Sequence, residues 1–431
     1  MDYLLIEGAR PLKGTVEISA SKNAALPMIM ASILSEKQVN FANLPRLTDV
    51  DFALKILIEL GGTVSMNRVG GHVVANVKFS NNANFTAPYD LVRKMRASIS
   101  VLGPLLARYG KAKVSLPGGC AIGSRPVDLH LMVMEKLGAK IKVEDGYIFA
   151  EADKLKGAEI VFPFVSVGAT QAAMMVSVVA EGVSVIRNVS MEPESIDLGN
   201  MLNKMGAKIE GLGTETLTIK GLGTKTLPGT NESITVIPDR IEAGTFAVAA
   251  AATKGKVEIK NAVSEHIDIL LYNLKESGVM VENTKDGFIV DATNAKKIKP
   301  VDVVTAPYPG FPTDLQAQWM AYMSIADGTS TITEKIFENR FIHIGELFRL
   351  GARIKYSGNK ATVQGVEKLR GAPVMATDLR ASASLVIGGL IAEGTTEIHR
   401  VYHIDRGYER IDQKLSDLGA KIERLKESNH G

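Results

Sequence analysis

The sequence predicts an α/β protein built from six copies of one unit, divided three and three between two domains. Three observations carry this expectation. One phrase recurs six times, a helix–turn–strand segment recurs upstream of it, and short alternating strands recur downstream.

The phrase joins a helix end, a glycine and a strand start. It reads IELGGTV around Gly61, EKLGAKI around Gly138, NKMGAKI around Gly206, KESGVMV around Gly278, FRLGARI around Gly351 and SDLGAKI around Gly419. A glycine closing an amphipathic run fits a helix C-cap, and the residues after it fit a strand. Upstream, AEGVSVIRN, TKGKVEIKN, ADGTSTITE and AEGTTEIHR each end a second helix at a small turn and lead into a strand. Downstream, HVVANV, YIFAEA, TLTIKG, FIVDA and ATVQG alternate as strands do. One unit is therefore helix–strand–loop–helix–strand–strand. It is too long for a solenoid repeat and suits a small α/β subdomain.

The chain ends sharpen the division. The sixth unit stops at KIERLKESNHG without its following strands, while YLLIEG and GTVEIS stand spare before the first helix. Residues 1–20 are thus expected to complete the second domain. The expected boundaries are 21–237 for an N-terminal catalytic domain, and 1–20 plus 238–431 for a discontinuous second one. Two crossings, near Ser21 and near 235–240, would make a hinge.

Composition bounds the function. A chain of 431 residues with 45% hydrophobic and 23% charged residues suits a soluble protein of two or three domains. Its net charge of +3 is spread along the chain, with no basic tail and no aromatic–basic interleaving, so no nucleic-acid partner is expected. The start MDYLLIEGARPLKG lacks the features of a signal peptide. The longest apolar run, ASLVIGGLIAEG, falls short of a membrane span, so no membrane insertion is expected. A single cysteine excludes an internal disulfide and points to a reducing, cytoplasmic location.

Each unit's first helix opens on a polar cluster followed by small residues: SKNAALPM at 21, MRASISVL at 95, SVGATQAA at 166, DRIEAGTF at 239, TDLQAQWM at 313 and LRASASLV at 379. Ser, Thr and Asp cap helices, and alanines and serines let helices approach closely. Six N-termini facing a common cleft would attract anions through their partial charges and unpaired N–H groups. Lys22, Arg96, Arg240 and Arg380 would reinforce that field. Asp314 is the exception, an isolated acid that is either an N-cap or a general base.

No metal site, phosphate-binding lysine loop or dinucleotide fingerprint is readable. The interval from Gly61 to Gly138 is the longest, and it contains SLPGGCAIGSRPVDLH at 115–130. Its glycines suggest a lid, and Cys120, near Arg125, is either a reactive thiol or proton donor or an inert thiol packed under the loop.

SKNAALP, MRASI, PGGCAIGSRPVDLH, SVGAT, PDRIEAGTF, FPTDLQAQ, FENRF, MATDLRASASLV and YHIDRGYERI together resemble the UDP-N-acetylglucosamine 1-carboxyvinyltransferase family of enolpyruvyl transferases, over the whole chain. The resemblance implies transfer of enolpyruvyl from phosphoenolpyruvate to UDP-N-acetylglucosamine, at the first committed step of peptidoglycan synthesis. It implies no cofactor, and a fold of two inside-out α/β barrels of three repeats each, with the site between them. It implies Lys22 and Asn23 on phosphoenolpyruvate, with Arg125 and Arg406 on its phosphate and carboxylate side. Arg96 and the run Arg125, Pro126, Val127, Asp128 and Leu129 would line the nucleotide sugar, with Ser166, Val167 and Gly168 near its diphosphate. Asp314 would take the sugar 3-hydroxyl proton and Ile336 would touch the same substrate, while Asp378 and Arg380 would support the reacting centre. Cys120 would protonate the methylene carbon and be alkylated by fosfomycin. Phe164 departs from members with a lysine before VSVG, which removes a diphosphate or uridine contact. The sister family acting on shikimate 3-phosphate, and a non-catalytic nucleotide-sugar binder, remain as alternatives.

Overall fold

All six glycines of the recurring phrase close a helix in the left-handed conformation. Their φ angles are 88°, 98°, 105°, 99°, 90° and 91° at Gly61, Gly138, Gly206, Gly278, Gly351 and Gly419. A side chain there would strain the backbone, so the phrase is a stop signal written in conformational terms. The computed structural model describes residues 2–69, 72–80, 84–87, 89–92, 95–116 and 127–426.

Among the described residues the strands form six four-stranded sheets that share one topology. A short edge strand runs parallel to its neighbour, and two antiparallel pairings follow. Glu159–Val161, Glu181–Arg187, Thr216–Leu222 and Ile209–Glu210 make one such sheet. Val303–Val304, Thr329–Thr333, Lys360–Gln364 and Arg353–Ser357 make another.

The spare strands find these positions. Asp2–Glu7 lies antiparallel to both Thr395–His399 and Lys421–Lys426, filling the place that a hairpin strand fills in the other sheets. Lys13–Glu17 runs parallel to Lys256–Lys260, and Ser233–Ile234 runs parallel to the strand Val39–Leu44. In both cases a strand remote in sequence covers an otherwise open sheet edge.

The chain divides into two compact units. One comprises Ala20–Gly119 and Arg125–Ile237; the other includes Met1–Ser19 and Pro238–Gly431. In the first, the helices Lys22–Ala31, Leu102–Tyr109 and Val167–Ser177 are buried on nearly every side. In the second, Arg240–Ala252, Gln316–Met323 and Leu379–Ile391 are buried likewise. A helix with no polar face belongs in a core, which explains why their sequences lack an amphipathic stripe. Among the described residues no helix is long and apolar enough to cross a membrane.

Candidate active site

Four of the six helix starts carry a side-chain cap. Ser21 accepts from the Ala24 N–H, Ser166 from Ala169, Asp239 from Ile241 and Glu242, and Asp378 from Arg380 and Ala381. The other two, near 95 and 313, open as 3-10 turns with no side-chain cap: Arg96–Val101 and Thr313–Leu315. Asp314 is therefore not a capping acid.

In the Ala20–Ile237 unit, Lys22 is the first helical residue and is 6% exposed. Its ammonium donates to Asp49 Oδ2 at 3.2 Å, which holds a buried cation at the helix start. Asn23 follows, half-buried. Ser166 precedes the exposed Val167, and Gly168 completes that helix start. A Cβ on Gly168 would lie 2.8 Å from His130 Nε2, so glycine is what lets the helix Asp128–Lys136 come this close. Val127 is buried, Asp128 exposed and Leu129 half-buried at the start of that helix. Phe164 is 57% exposed, two residues before the Ser166 cap. Cys120, Arg125 and Pro126 lie outside the described residues.

In the Pro238–Gly431 unit, Asp314 is met by two arginines. Arg340 Nη2 donates to its Oδ1 at 2.8 Å, and Arg380 Nε to its Oδ2 at 3.3 Å. The isolated acid of the sequence is thus one corner of an ion-pair cluster, because the fold carries Arg340 and Arg380 to it from distant segments. Both arginines are almost fully buried, and Asp314 is about a quarter exposed. Burial opposes the charge on Arg380. Tyr408, Asp314 and Asp239 outweigh that opposition, so the guanidinium titrates above its ordinary range. Its guanidinium lies 5.3 Å from the centre of the Tyr408 ring and interacts with that residue's hydroxyl.

A second carboxylate builds the frame. Glu334 is buried and accepts from Thr305 Oγ1 at 2.7 Å, Ile336 N at 2.8 Å, Phe337 N at 3.2 Å and Thr313 Oγ1 at 2.8 Å. Arg340 Nη1 in turn donates to Thr313 Oγ1 at 3.1 Å. One carboxylate thereby orients both the Ile336 turn and the residue before Asp314. His343, three residues past Arg340, is buried; burial pushes its imidazole down to about 4 against the opposing charge of Asp378. It stays neutral beside the cluster.

The structure brings Asp314 together with Arg380 and sets Asp378 at the start of the same helix as Arg380. Arg406 lies on the 3-10 turn Val401–Arg406 of this unit. Nothing in the sequence assigns a role to Asp49, His130, Glu334, Arg340, His343 or Tyr408. The only hint for Arg340 was its place in FENRF, a cation between two aromatics.

The chain is similar to known proteins over nearly its whole length. A family model described as EPSP synthase (3-phosphoshikimate 1-carboxyvinyltransferase) matches residues 6–415. The chain is 53% identical over 427 residues to a UDP-N-acetylglucosamine 1-carboxyvinyltransferase of Caulobacter vibrioides, covering 99% of this chain and 98% of the relative. It is 51% identical to the enzyme of that name from Geobacter metallireducens, covering 99% and 100%. Among solved structures, the enolpyruvyl transferase of Streptomyces tendae superposes with a TM-score of 0.86 at 25% identity, covering 98% and 99%. EPSP synthase from Acinetobacter baumannii shares the fold with a TM-score of 0.73 at 18% identity, covering 99% and 100%.

Proposed function

The chain belongs to the EPSP synthase family of enolpyruvyl transferases, and from that premise we propose that it transfers the enolpyruvyl group of phosphoenolpyruvate to the 3-hydroxyl of UDP-N-acetylglucosamine, releasing phosphate. The observation that carries the chemistry is Asp314 set against the buried guanidinium groups of Arg340 and Arg380. A carboxylate beside buried cationic donors suits proton removal next to a heavily anionic intermediate. The acceptor follows from the relatives: those near half identity over the full length carry the nucleotide-sugar name, while the shikimate enzyme of known structure is 18% identical.

In this reading Asp314 takes the proton of the sugar hydroxyl, whose oxygen bonds to carbon 2 of phosphoenolpyruvate. Cys120 delivers a proton to the methylene carbon, giving a tetrahedral phosphate ester. Elimination reverses the two roles: the methyl group returns a proton, the C–O bond to phosphate breaks, and the enol ether forms. Lys22, Asn23, Arg125 and Arg406 hold phosphoenolpyruvate. Arg96, the 125–129 run, Ser166, Val167, Gly168 and Ile336 hold the nucleotide sugar, and Asp378 supports Arg380 through their shared helix start. Fosfomycin would alkylate the Cys120 thiol.

The finer architecture belongs to the same reading. Each domain is an inside-out barrel of three α/β subdomains, with boundaries at 21–237 and at 1–20 plus 238–431. The buried helices of each unit, and the division at Ser19/Ala20 and Ile237/Pro238, support it. The enzyme would work in the cytoplasm, where a lone thiol stays reduced, at the first committed step of peptidoglycan synthesis.

Mass spectrometry of the product tests the proposal. Incubation with both substrates should yield the 3-O-enolpyruvyl ether of UDP-N-acetylglucosamine and free phosphate. Tight binding of the nucleotide sugar with no ether formed would make the chain a binding protein instead.

A further inference from the structure

In the Pro238–Gly431 unit, the stretch HIDRGYER holds one half-buried arginine among anchored neighbours. Asp405 is gripped by Arg424 from the last strand, Lys421–Lys426, through two parallel bonds: Nη1 to Oδ2 at 2.9 Å and Nη2 to Oδ1 at 2.7 Å. Arg424 Nε also donates to Asp412 Oδ2 at 3.1 Å, so the guanidinium is held on a second side. Gly407 is pressed onto the helix start that carries Arg380, where a Cβ would lie 2.5 Å from Leu379 Cδ1. The Tyr408 hydroxyl shares a hydrogen bond with Thr245 at 2.9 Å and accepts from Gln318 at 3.1 Å. Arg406 stands between Asp405 and Gly407, so its Cα is fixed from both sides.

The segment from the residue before the 3-10 turn Val401–Arg406 to the residue before the helix Ile411–Asp417 needs such anchors. Its first and last residues, Arg400 and Arg410, have φ angles of 59° and 49°, a left-handed backbone that non-glycine residues adopt only at a cost. A turn strained at both ends keeps its shape when contacts from outside hold it.

We propose that Arg424 is a positioning residue for Arg406, acting through Asp405 to fix the direction in which the Arg406 guanidinium meets phosphoenolpyruvate. The inference rests on the reading of Arg406 as a ligand of that substrate. A two-pronged Arg–carboxylate fork is strongly directional, and Arg424 would keep Asp412 and Asp2 beside it when only the Asp405 geometry is disturbed. Losing it should therefore disturb substrate binding more than unfolding.

Steady-state kinetics on the full-length enzyme tests this. Arg424→Gln should raise KM for phosphoenolpyruvate about tenfold or more, as misplacement of a positioning group does. The KM for UDP-N-acetylglucosamine and the thermal midpoint should stay near wild type. Arg424→Lys keeps the charge but not the fork, and should recover only part of the loss. In an Arg406→Ala background, Arg424→Gln should add nothing further. If Arg406→Ala raises this KM while Arg424→Gln leaves it unchanged, the positioning role is overturned. If Arg424→Gln raises both KM values and lowers the midpoint, Arg424 is merely structural and the proposal also fails. If Arg406→Ala itself leaves the KM for phosphoenolpyruvate unchanged, the underlying reading of Arg406 is what fails.

Discussion

Asp314 Oδ1 and Arg340 Nη2 lie 2.8 Å apart, and the other oxygen of the same carboxylate faces Arg380 Nε at 3.3 Å. Twenty-six residues separate the first pair and sixty-six the second. Two arginines from distant segments hold the carboxylate in one orientation.

Replacing Asp314 by Ala should leave both substrates able to bind while kcat falls about 10²–10⁴-fold, the usual worth of a positioned proton acceptor. Binding is read by isothermal titration and turnover by phosphate release. A near-normal kcat would remove Asp314 as the base.

Cys120→Ala should abolish covalent labelling by fosfomycin and suppress turnover, while the far-ultraviolet circular dichroism is unchanged. Intact-protein mass spectrometry reads the adduct directly. Labelling that persists in the variant would place the reactive group elsewhere, because this thiol is the only one in the chain.

Gly351 isolates the conformational meaning of the recurring glycine. Its φ is 90° and a Cβ there would meet nothing within 4 Å, so Gly351→Ala adds strain without a clash. The variant should lose about 1 kcal/mol in urea unfolding. No change would mean that the helix end re-forms with a different cap.

Much of this fold was legible because it repeats. Six glycines at nearly regular spacing marked six helix ends, and two spare strands at the start marked strands that later sheets would recruit: Asp2–Glu7 enters the last sheet and Lys13–Glu17 pairs with Lys256–Lys260. The candidate site was legible where a residue sits at a helix start, as Lys22, Ser166 and Asp378 do. It was not legible where a side chain reaches across the fold. Nothing periodic links Lys22 to Asp49, Asp314 to Arg340 or Asp405 to Arg424, because such pairs form only after the sheets and helices have packed. For the same reason Asp314 stood out in the sequence as a solitary acid, and the two uncapped starts at 95 and 313 were indistinguishable from the four capped ones.

Asp197 should make stability depend on pH. Burial pushes its carboxyl up to about 6, with Glu194 adding to the effect, although it accepts a hydrogen bond from the Ile237 N–H at 3.1 Å. The folded protein then holds a proton that the unfolded chain releases, so this group's contribution is present below pH 3.8 and is lost as pH rises through about 6. Asp197→Asn should therefore stabilise the protein at pH 7.5, by at most about 3 kcal/mol. The gain should shrink as the pH falls toward 4. Urea unfolding across that range checks it, and an equal gain at every pH would rule out titration as the cause.

The acceptor decides which enolpyruvyl product this enzyme makes. Phosphate release from phosphoenolpyruvate, measured side by side with UDP-N-acetylglucosamine and with shikimate 3-phosphate, tests its identity most directly. Release should depend on the nucleotide sugar and stay at background with shikimate 3-phosphate; release with shikimate 3-phosphate alone would contradict the account.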